Sequence, residues 1–215
     1  MLSWLMDLVL HLDRHLVDLI TRVDFWIYPI LFAVIFCETG LVVTPFLPGD
    51  SLLFAVGALS AIDTSGTLRA PLLTLLLAAA AVLGNMANYG VGRAIGPPAF
   101  SGRYRLLKVD YLRQTEAFFQ RHGGFAVFLS RFLPIFRTLV PFVAGIGRMP
   151  YARFFGYNLL GGTVWVVLFI WGGYLFGNIP LVRNNFGVVT ILIVIVSLLP
   201  LAVAYLRRRR ARPAA

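Results

Sequence analysis

Three stretches of this chain run for 21 to 23 residues without a charged side chain, and they restrict the fold more than any other feature. A helix of that length, rising about 1.5 Å per residue, crosses a hydrocarbon core of roughly 30 Å. Soluble domains carry about 25% charged residues, whereas this chain carries 13%. The runs cover residues 70–92, 154–176 and 186–206. The sequence therefore predicts an all-α integral membrane protein.

Positive charge is concentrated in two parts of the chain. Residues 93–121 carry six Lys or Arg residues, residues 207–212 carry five more, and the formal net charge is +10. An excess of Lys and Arg beside apolar spans marks the cytoplasmic side of a membrane protein. This pattern predicts a multi-pass protein with a cytoplasmic C-terminus, and it argues against a nucleic-acid partner.

The two halves of the chain match each other weakly at an offset of 93 residues. Phe32-Ala-Val aligns with Phe125-Ala-Val, and Pro48 aligns with Pro141. Each half has an amphipathic segment, an interrupted hydrophobic segment and an uncharged run, in that order. The prediction is one membrane domain over 1–215, with an amphipathic helix at 1–24, a re-entrant hairpin at 25–62, a spanning helix at 70–92, an amphipathic helix at 108–122, a second re-entrant hairpin at 124–150, spanning helices at 154–176 and 186–206, and a basic tail at 207–215.

Proline and glycine interrupt the two hydrophobic segments that precede the first two spans. Proline removes a backbone donor and blocks helix continuation, and glycine permits a tight turn. A segment that enters and leaves at one face crosses the membrane zero times, so each half has one net crossing and the second half is inverted. Paired broken segments of this kind point to a transporter binding site near the membrane midplane. The predicted breaks are Pro45, Pro48, Gly49, Pro134 and Pro141.

Four charged residues lie in these interrupted segments, namely Glu38, Asp50, Arg131 and Arg137. A charge at membrane depth costs at least about 2.5 kcal/mol, so each is a candidate functional residue. Arg131 and Arg137 suit a phosphate, because a guanidinium offers a planar fork of donors and stays charged when buried. Glu38 and Asp50 can couple or gate its movement, because the proton occupancy of a buried carboxylate depends on neighbouring charge.

A structural alternative is that the four charges are locked ion pairs, Glu38 with Arg131 and Asp50 with Arg137. Such pairs would hold the two hairpins together. Asp50 also suits the N-cap of a helix over 51–62, where its carboxylate would accept from free backbone N–H groups. Both interpretations stay open at the level of sequence.

Other polar residues in the chain suggest packing rather than chemistry. Asn85, Asn88 and Asn158 lie inside the uncharged runs, where we expect them to hydrogen-bond between helices. The sequence has no catalytic nucleophile motif, no zinc-spaced His and Cys set and no nucleotide-binding loop. This predicts a protein that is not an enzyme and that has no catalytic residues, no metal site and no cofactor.

At these residues the chain resembles the DedA family of membrane proteins, whose shared region is also called the SNARE-associated or VTT domain. The resemblance covers about residues 25–205 and rests on a combination of motifs. The motifs are Glu38-Thr-Gly, Pro45-Phe-Leu-Pro48-Gly49-Asp50, Gly84-Asn85 to Gly92-Arg93, Arg131-Phe-Leu-Pro134-Ile-Phe-Arg137, and Asn158-x-x-Gly161-x-x-x-Trp165.

The resemblance implies a bacterial inner-membrane protein with two opposed re-entrant hairpins. It further implies movement of undecaprenyl phosphate, the lipid carrier of cell-wall synthesis, with dependence on the proton gradient in some members. Expected partners are undecaprenyl phosphate or a related lipid phosphate, membrane lipids and protons; homo-oligomerisation is left open. The resemblance matches an essential acidic pair to Glu38 and Asp50, essential arginines to Arg131 and Arg137, and a supporting motif to Asn158 and Trp165.

Three other functions stay open at this point. The first is proton-coupled export of small ions or cationic solutes, with the carboxylates contacting the substrate and the arginines acting as counter-charges. The second is phospholipid scrambling, which eukaryotic relatives perform. The third is a scaffold whose buried charges are structural.

Overall fold

The computed structural model describes residues 24–41, 49–63, 65–96 and 109–179. One 3-10 turn at Asp24–Trp26 is followed in these residues by α1 (Ile27–Gly40), α2 (Gly49–Ile62), α3 (Ala70–Ile95), α4 (Val109–His122), α5 (Phe125–Ser130), α6 (Pro134–Ile146) and α7 (Tyr151–Gly177). No strand occurs in the described ranges, so the predicted all-α fold is confirmed.

Some predicted segments lie outside the described residues. They are the amphipathic helix up to residue 23, the two breaks at Pro45 and Pro48, the span at 186–206 and the tail at 207–215. The two helices within 25–62 are α1 and α2, and the connection at 42–48 is not among the described residues. Whether 25–62 is a re-entrant hairpin therefore stays a prediction.

Helices α3 and α7 cover the first two uncharged runs and extend beyond them. They have 26 and 27 residues and are apolar enough, by length and composition, to cross a membrane. At 1.5 Å per residue each is roughly 40 Å long. Helix α3 begins with Pro71 in its first turn, where the missing N–H has no intrahelical role. It ends before Gly96, whose φ of 64° is the left-handed conformation that commonly ends a helix.

The two long helices bury polar side chains and expose apolar ones. Asn85, Asn88 and Asn158 are fully buried. The exposed residues are leucines on both helices, among them Leu72, Leu75 and Leu83 on α3 and Leu159, Leu160, Leu168 and Leu175 on α7. In water this distribution would be unfavourable, because exposed apolar area costs free energy. It is the distribution that a lipid environment favours.

The chain forms two compact units. The α2 unit contains residues 48–70, with α2 and the loop after it, and α7 from Phe169 onward. The α3 unit contains α1 from Tyr28, α3 from Pro71, helices α4 to α6, and α7 up to Leu168.

In the α2 unit, α2 packs parallel to the C-terminal part of α7 through glycine. A Cβ atom built on Gly57 would lie 2.1 Å from the carbonyl oxygen of Ile170, and one on Gly173 would lie 2.0 Å from that of Phe54. No side chain fits at such distances, so the two backbones can approach this closely only because both residues are glycine. Small residues at helix interfaces serve the same purpose in membrane proteins generally.

In the α3 unit, α6 packs parallel to α3 in the same way. A Cβ atom on Gly145 would lie 2.2 Å from the carbonyl oxygen of Tyr89, and one on Gly92 would lie 2.1 Å from that of Phe142. Helix α6, like α2, carries a phenylalanine followed three residues later by glycine. Helix α3, like α7, carries its glycine three residues after the residue whose carbonyl oxygen is contacted.

These two glycine contacts are equivalent residue for residue and support an internal repeat. Gly173 on α7 lies 81 residues after Gly92 on α3, and Gly145 on α6 lies 88 residues after Gly57 on α2. The predicted offset of 93 residues is therefore wrong for these elements. A single offset cannot relate the halves, because the connection from α2 to α3 is longer than the connection from α6 to α7.

Helices α4, α5 and α6 pack against one another in the α3 unit. Helix α4 is amphipathic, with Arg113, Glu116 and Arg121 exposed and Thr115 buried. Its C-terminus is followed by Gly123, which has a φ of 56°. The predicted second hairpin over 124–150 thus contains α5, a turn at residues 131–133, and α6.

One predicted break is not observed. Pro141 lies inside α6, which continues to Ile146. Proline interrupts the helical hydrogen-bond ladder at one position, but membrane helices tolerate this where surrounding groups satisfy the freed carbonyl. Pro134, in contrast, occupies the start of α6, and Leu133 before it is extended with φ −117° and ψ 107°. A proline restricts its predecessor in this way, so the break at this position is real.

Candidate functional site

Glu38 and Arg137 form a buried ion pair in the α3 unit. Nη1 of Arg137 donates to Oε1 of Glu38 at 3.0 Å, and the two side chains are 6% and 4% exposed. Glu38 lies in the last turn of α1, where the helix dipole disfavours a negative charge. The guanidinium of Arg137 therefore offsets the unfavourable interaction of this carboxylate with the helix dipole.

The start of α6 positions Arg137. Pro134 fixes the beginning of the helix, which places Arg137 in its first turn. The Nε atom of Arg137 donates to the carbonyl oxygen of Arg131 at 3.2 Å. Nε of Arg137 thus contacts the α5–α6 turn, and Nη1 contacts the end of α1.

Arg131 lies in the turn between α5 and α6, and its side chain is fully buried. Nη2 donates to the carbonyl oxygen of Ala81 at 2.9 Å and to Oδ1 of Asn158 at 2.8 Å. Arg131 makes no ion pair with any described residue, and its Nη1 atom has no hydrogen-bond partner among them. A buried guanidinium held by neutral oxygens carries a charge that its surroundings do not neutralise.

Asn85 lies against the same guanidinium. With its amide oxygen facing Arg131, it accepts from Nε at 3.3 Å and from Nη2 at 2.9 Å, and its nitrogen donates to the carbonyl oxygen of Thr39 at 3.3 Å. This orientation is assigned from the hydrogen-bond pattern, because it places the acceptor against donors. Arg131 is therefore contacted by two asparagines rather than by a carboxylate.

Asn88, one turn further along α3, connects three helices. Its Nδ2 atom donates to the carbonyl oxygens of Thr39 at 3.2 Å and of Thr138 at 2.7 Å. These bonds join the end of α1 and the start of α6 to α3. The prediction that the asparagines in the spans hydrogen-bond between helices is confirmed, since Asn158 also donates to the carbonyl oxygen of Val82 at 3.0 Å.

Trp165 on α7 is fully buried beside both arginines. The guanidinium carbon of Arg137 lies 4.7 Å from the centroid of its ring, and that of Arg131 lies 6.0 Å away. A cation over the face of an indole is attracted by the ring quadrupole. Trp165 thus supplies an apolar wall that favours the two positive charges without neutralising them.

The structure brings together three of the four predicted charged residues. Glu38, Arg131 and Arg137 lie in the α3 unit, with Asn158 and Trp165 of the predicted supporting motif. Asp50 belongs to the α2 unit, where it is half-buried. It lies in the first turn of α2, which begins at Gly49, so its carboxylate is favourably placed for the helix dipole.

The ion pairs of the structural alternative are wrong in one respect. Glu38 pairs with Arg137 rather than with Arg131. Sequence reasoning also did not assign Asn85 to the guanidinium of Arg131. The signal available was an amide in the middle of an uncharged run, which indicates a buried hydrogen bond but not its partner.

The donors of this buried cluster are chemically suited to an anion. The cluster presents two buried guanidinium groups, one carboxylate and an aromatic wall, and one nitrogen of Arg131 is unused by the described residues. In the described part of the chain, no three His, Cys, Asp or Glu side chains come together as metal ligands would. The donors are those that phosphate or carboxylate groups prefer.

Comparison with known proteins identifies relatives along most of the chain. Residues 47–175 match the VTT domain. Protein DedA of Escherichia coli (strain K12) is 44% identical over 212 residues, which covers 98% of this chain and 96% of that protein. Inner membrane protein YghB of the same organism is 37% identical over 85% of this chain and 79% of its own length. Inner membrane protein YqjA is 37% identical over 72% and 69%. No solved structure matches the chain.

These relatives agree with the distribution of polar and apolar residues in α3 and α7. Two of them are named as inner membrane proteins, and the family match includes the arginines, the asparagines and the tryptophan of the buried cluster. The chain belongs to the DedA family of membrane proteins and carries its VTT domain over residues 47–175.

Proposed function

We propose that this protein moves a lipid-linked phosphate, undecaprenyl phosphate, across a bacterial inner membrane for recycling, and that protons drive the movement. The observation that carries the proposal is Arg131, a fully buried cation without an ion-pair partner among the described residues. The polyprenyl chain follows from the family resemblance, and the phosphate follows from the chemistry of the cluster.

The head group would contact Arg131 first. A phosphate oxygen that accepts from Nη1 of Arg131 supplies the partner that this atom does not have among the described residues. Charge-assisted hydrogen bonds of this kind are about twice as strong as neutral ones. The apolar tail would remain in lipid, beside the exposed leucines of the long helices.

Glu38 would provide the coupling. A phosphate that reaches Arg137 competes with the carboxylate of Glu38 for the same guanidinium. Protonation of Glu38 removes that competition, because a neutral carboxyl binds a cation far more weakly than a carboxylate does. Proton binding and phosphate binding would then favour each other. Asp50, in the first turn of α2, is proposed as the second acidic group that gates transfer.

The proposal includes a non-enzymatic mechanism and a defined orientation. No bond of the lipid is broken, so the protein acts as a transporter. The basic segment between α3 and α4 and the C-terminus would face the cytoplasm, as the excess of Lys and Arg indicates.

Transport in liposomes tests the proposal. Purified protein is reconstituted with radiolabelled undecaprenyl phosphate, a pH gradient is imposed, and exposure of the head group is followed with an added phosphatase. We expect exposure faster than in protein-free vesicles, dependence on the gradient, and loss of the effect with Arg131→Ala. Rates no faster than in protein-free vesicles would contradict the proposal. Equal movement of phosphatidylcholine would indicate a scramblase, and proton-coupled flux of a small cation without lipid movement would indicate an exporter.

A further inference from the structure

Residues on one face of α7 surround the side chain of Arg131. Asn158, Gly162 and Trp165 follow one another at spacings of four and three, which places them on the same side of a helix. A Cβ atom on Gly162 would lie 3.2 Å from Nη2 of Arg131 and 3.1 Å from Cγ2 of Val82. The absence of a side chain at Gly162 therefore leaves the space that the guanidinium occupies.

Asn158 cannot reverse its amide in this position. Its nitrogen donates to the carbonyl oxygen of Val82 at 3.0 Å, so its oxygen must face Arg131, whose Nη2 lies 2.8 Å away. A side chain with one donor and one acceptor in a fixed orientation defines where Nη2 lies. Because the guanidinium is planar and rigid, fixing Nη2 also fixes the direction of Nη1.

The oxygen of Asn158 that accepts from Arg131 is neutral, so it can orient the guanidinium without neutralising its charge. For stability alone, a buried cation is best paired with a carboxylate, since an uncompensated buried charge is costly. The neighbouring Arg137 has such a partner in Glu38. Arg131 is instead held by the carbonyl oxygen of Ala81 and by amide oxygens.

From this we infer that Asn158 is a positioning residue, which holds Arg131 so that Nη1 presents an uncompensated positive charge to an oxyanion. The inference rests on the proposed function and adds the residue that sets the charge and direction of the anion contact. The ligand class is a phosphate oxyanion, which a lipid head group and free inorganic phosphate share. The test separates these two sources.

Asn158→Asp is the decisive variant, because it keeps the shape of the side chain and adds a negative charge that the amide lacks. The carboxylate would lie about as far from Nη2 as the present amide oxygen and would neutralise Arg131. The new ion pair with Arg131 should offset the loss of the hydrogen bond to the carbonyl oxygen of Val82, so we expect a Tm near that of the wild type. Affinity for undecaprenyl phosphate should be lowered about tenfold or more. Asn158→Leu, which offers no acceptor, should lower both Tm and affinity.

Asn178→Asp is the matched control. Asn178 follows α7, is exposed, and donates to the carbonyl oxygen of Tyr174 within the same chain segment. The substitution changes the net charge of the protein by the same amount and should leave affinity unchanged. Binding of undecaprenyl phosphate in detergent micelles and of inorganic phosphate is measured by calorimetry on all four proteins.

Each outcome decides the inference. Affinity of Asn158→Asp within about twofold of the wild type overturns it. A loss of affinity in Asn158→Asp that is matched by a large loss of its Tm also overturns it, because Asn158 would then only support the fold. Wild-type binding of inorganic phosphate that depends on Asn158, without binding of the lipid, supports the inference and contradicts the proposed function. A wild-type protein that binds neither probe overturns both.

Discussion

Nη1 of Arg137 donates to Oε1 of Glu38 at 3.0 Å, although the two residues are 99 positions apart in sequence. The bond joins the last turn of α1 to the first turn of α6, and both side chains are buried. A buried ion pair contributes little net stability, because desolvation of the two charges offsets their attraction. In the proposed function, Glu38 would release Arg137 on binding a proton, and Arg137 would release Glu38 on binding a phosphate.

Glu38→Gln tests whether Glu38 couples transport to protons or only supports the fold. The amide retains an oxygen for Arg137 but loses the charge, so we expect a folded variant whose free energy of unfolding falls by about 1–3 kcal/mol. It should bind undecaprenyl phosphate and lose transport driven by a pH gradient. Thermal unfolding, binding and transport are measured on the same preparation, with Glu116→Gln, an exposed carboxylate on α4, as control. Transport at the wild-type rate would exclude Glu38 as the coupling group, and failure to fold would favour a purely structural role.

Arg137→Lys tests whether charge alone is sufficient. An ammonium keeps the charge but cannot reach Glu38 and the carbonyl oxygen of Arg131 with separate nitrogens as the guanidinium does. We expect the variant to fold and its transport rate to fall about tenfold or more. Arg153→Lys, at an exposed position on α7, is the control. Full activity of Arg137→Lys would show that Arg137 is a simple counter-charge, as the ion-export alternative requires.

Gly57→Ala and Gly145→Ala test the equivalence of the two glycine contacts. Each added methyl group would meet a backbone carbonyl oxygen at 2.1 or 2.2 Å, so the helices must separate. We expect each variant to lose about 1–3 kcal/mol of unfolding free energy, by similar amounts. Gly90→Ala and Gly156→Ala are the controls, because a Cβ atom at either position meets nothing within 4 Å. Those two changes should be neutral or stabilising, since alanine favours a helix. Equal effects in all four variants would contradict the packing described for Gly57 and Gly145.

Asp63, in the loop between α2 and α3, should make stability depend on pH. Partial burial raises the pKa of its carboxyl, but hydrogen bonds from Ser65 and Leu68 outweigh burial and leave the pKa below its ordinary value of 3.8. A carboxyl whose pKa is lowered by folding stabilises the protein above that ordinary value, and the contribution disappears as pH falls through the lowered pKa. Asp63→Asn should therefore lower Tm at neutral pH, and the difference from the wild type should shrink in acid. A difference that is the same at both pH values would show that the charge of Asp63 is not responsible.

Membrane orientation can be tested by cysteine labelling in a variant with Cys37 replaced by alanine. A cysteine at Ser65 should react with an impermeant thiol reagent from the periplasm, and one at Arg105 should react from the cytoplasm. The expected sides follow from the excess of Lys and Arg after α3. Labelling of both positions from one side would contradict the orientation proposed for α3.

The positions of buried charge could be predicted from the sequence, but their pairing could not. Glu38, Arg131 and Arg137 are conspicuous because a charge in an apolar segment is costly wherever the segment lies in the membrane. Which acid meets which arginine depends on how α1 and α6 are placed against α3, and glycine contacts such as Gly92 against Phe142 decide that placement. Such contacts have no signature in hydropathy.

The rule that proline breaks a helix holds at one end of α6 and does not hold inside it. Pro134 begins α6 as a proline at a helix start should, and Leu133 before it is extended. Pro141 does not end the same helix, because packing in a membrane protein can compensate for one missing donor. A single offset does not describe the internal repeat, because short sequence matches do not account for connections of unequal length.

Each of the two glycine contacts joins a helix of one half of the chain to a helix of the other half, which suggests how the chain originated. Helix α2 comes from the first half and meets α7 of the second, whereas α6 from the second half meets α3 of the first. In a protein made of one half, the two glycine faces could be buried against those of a second copy. Duplication and fusion of a gene for such a self-pairing ancestor would produce this pattern directly. After fusion the copies could diverge, one retaining the acidic residue Glu38 and the other the arginines.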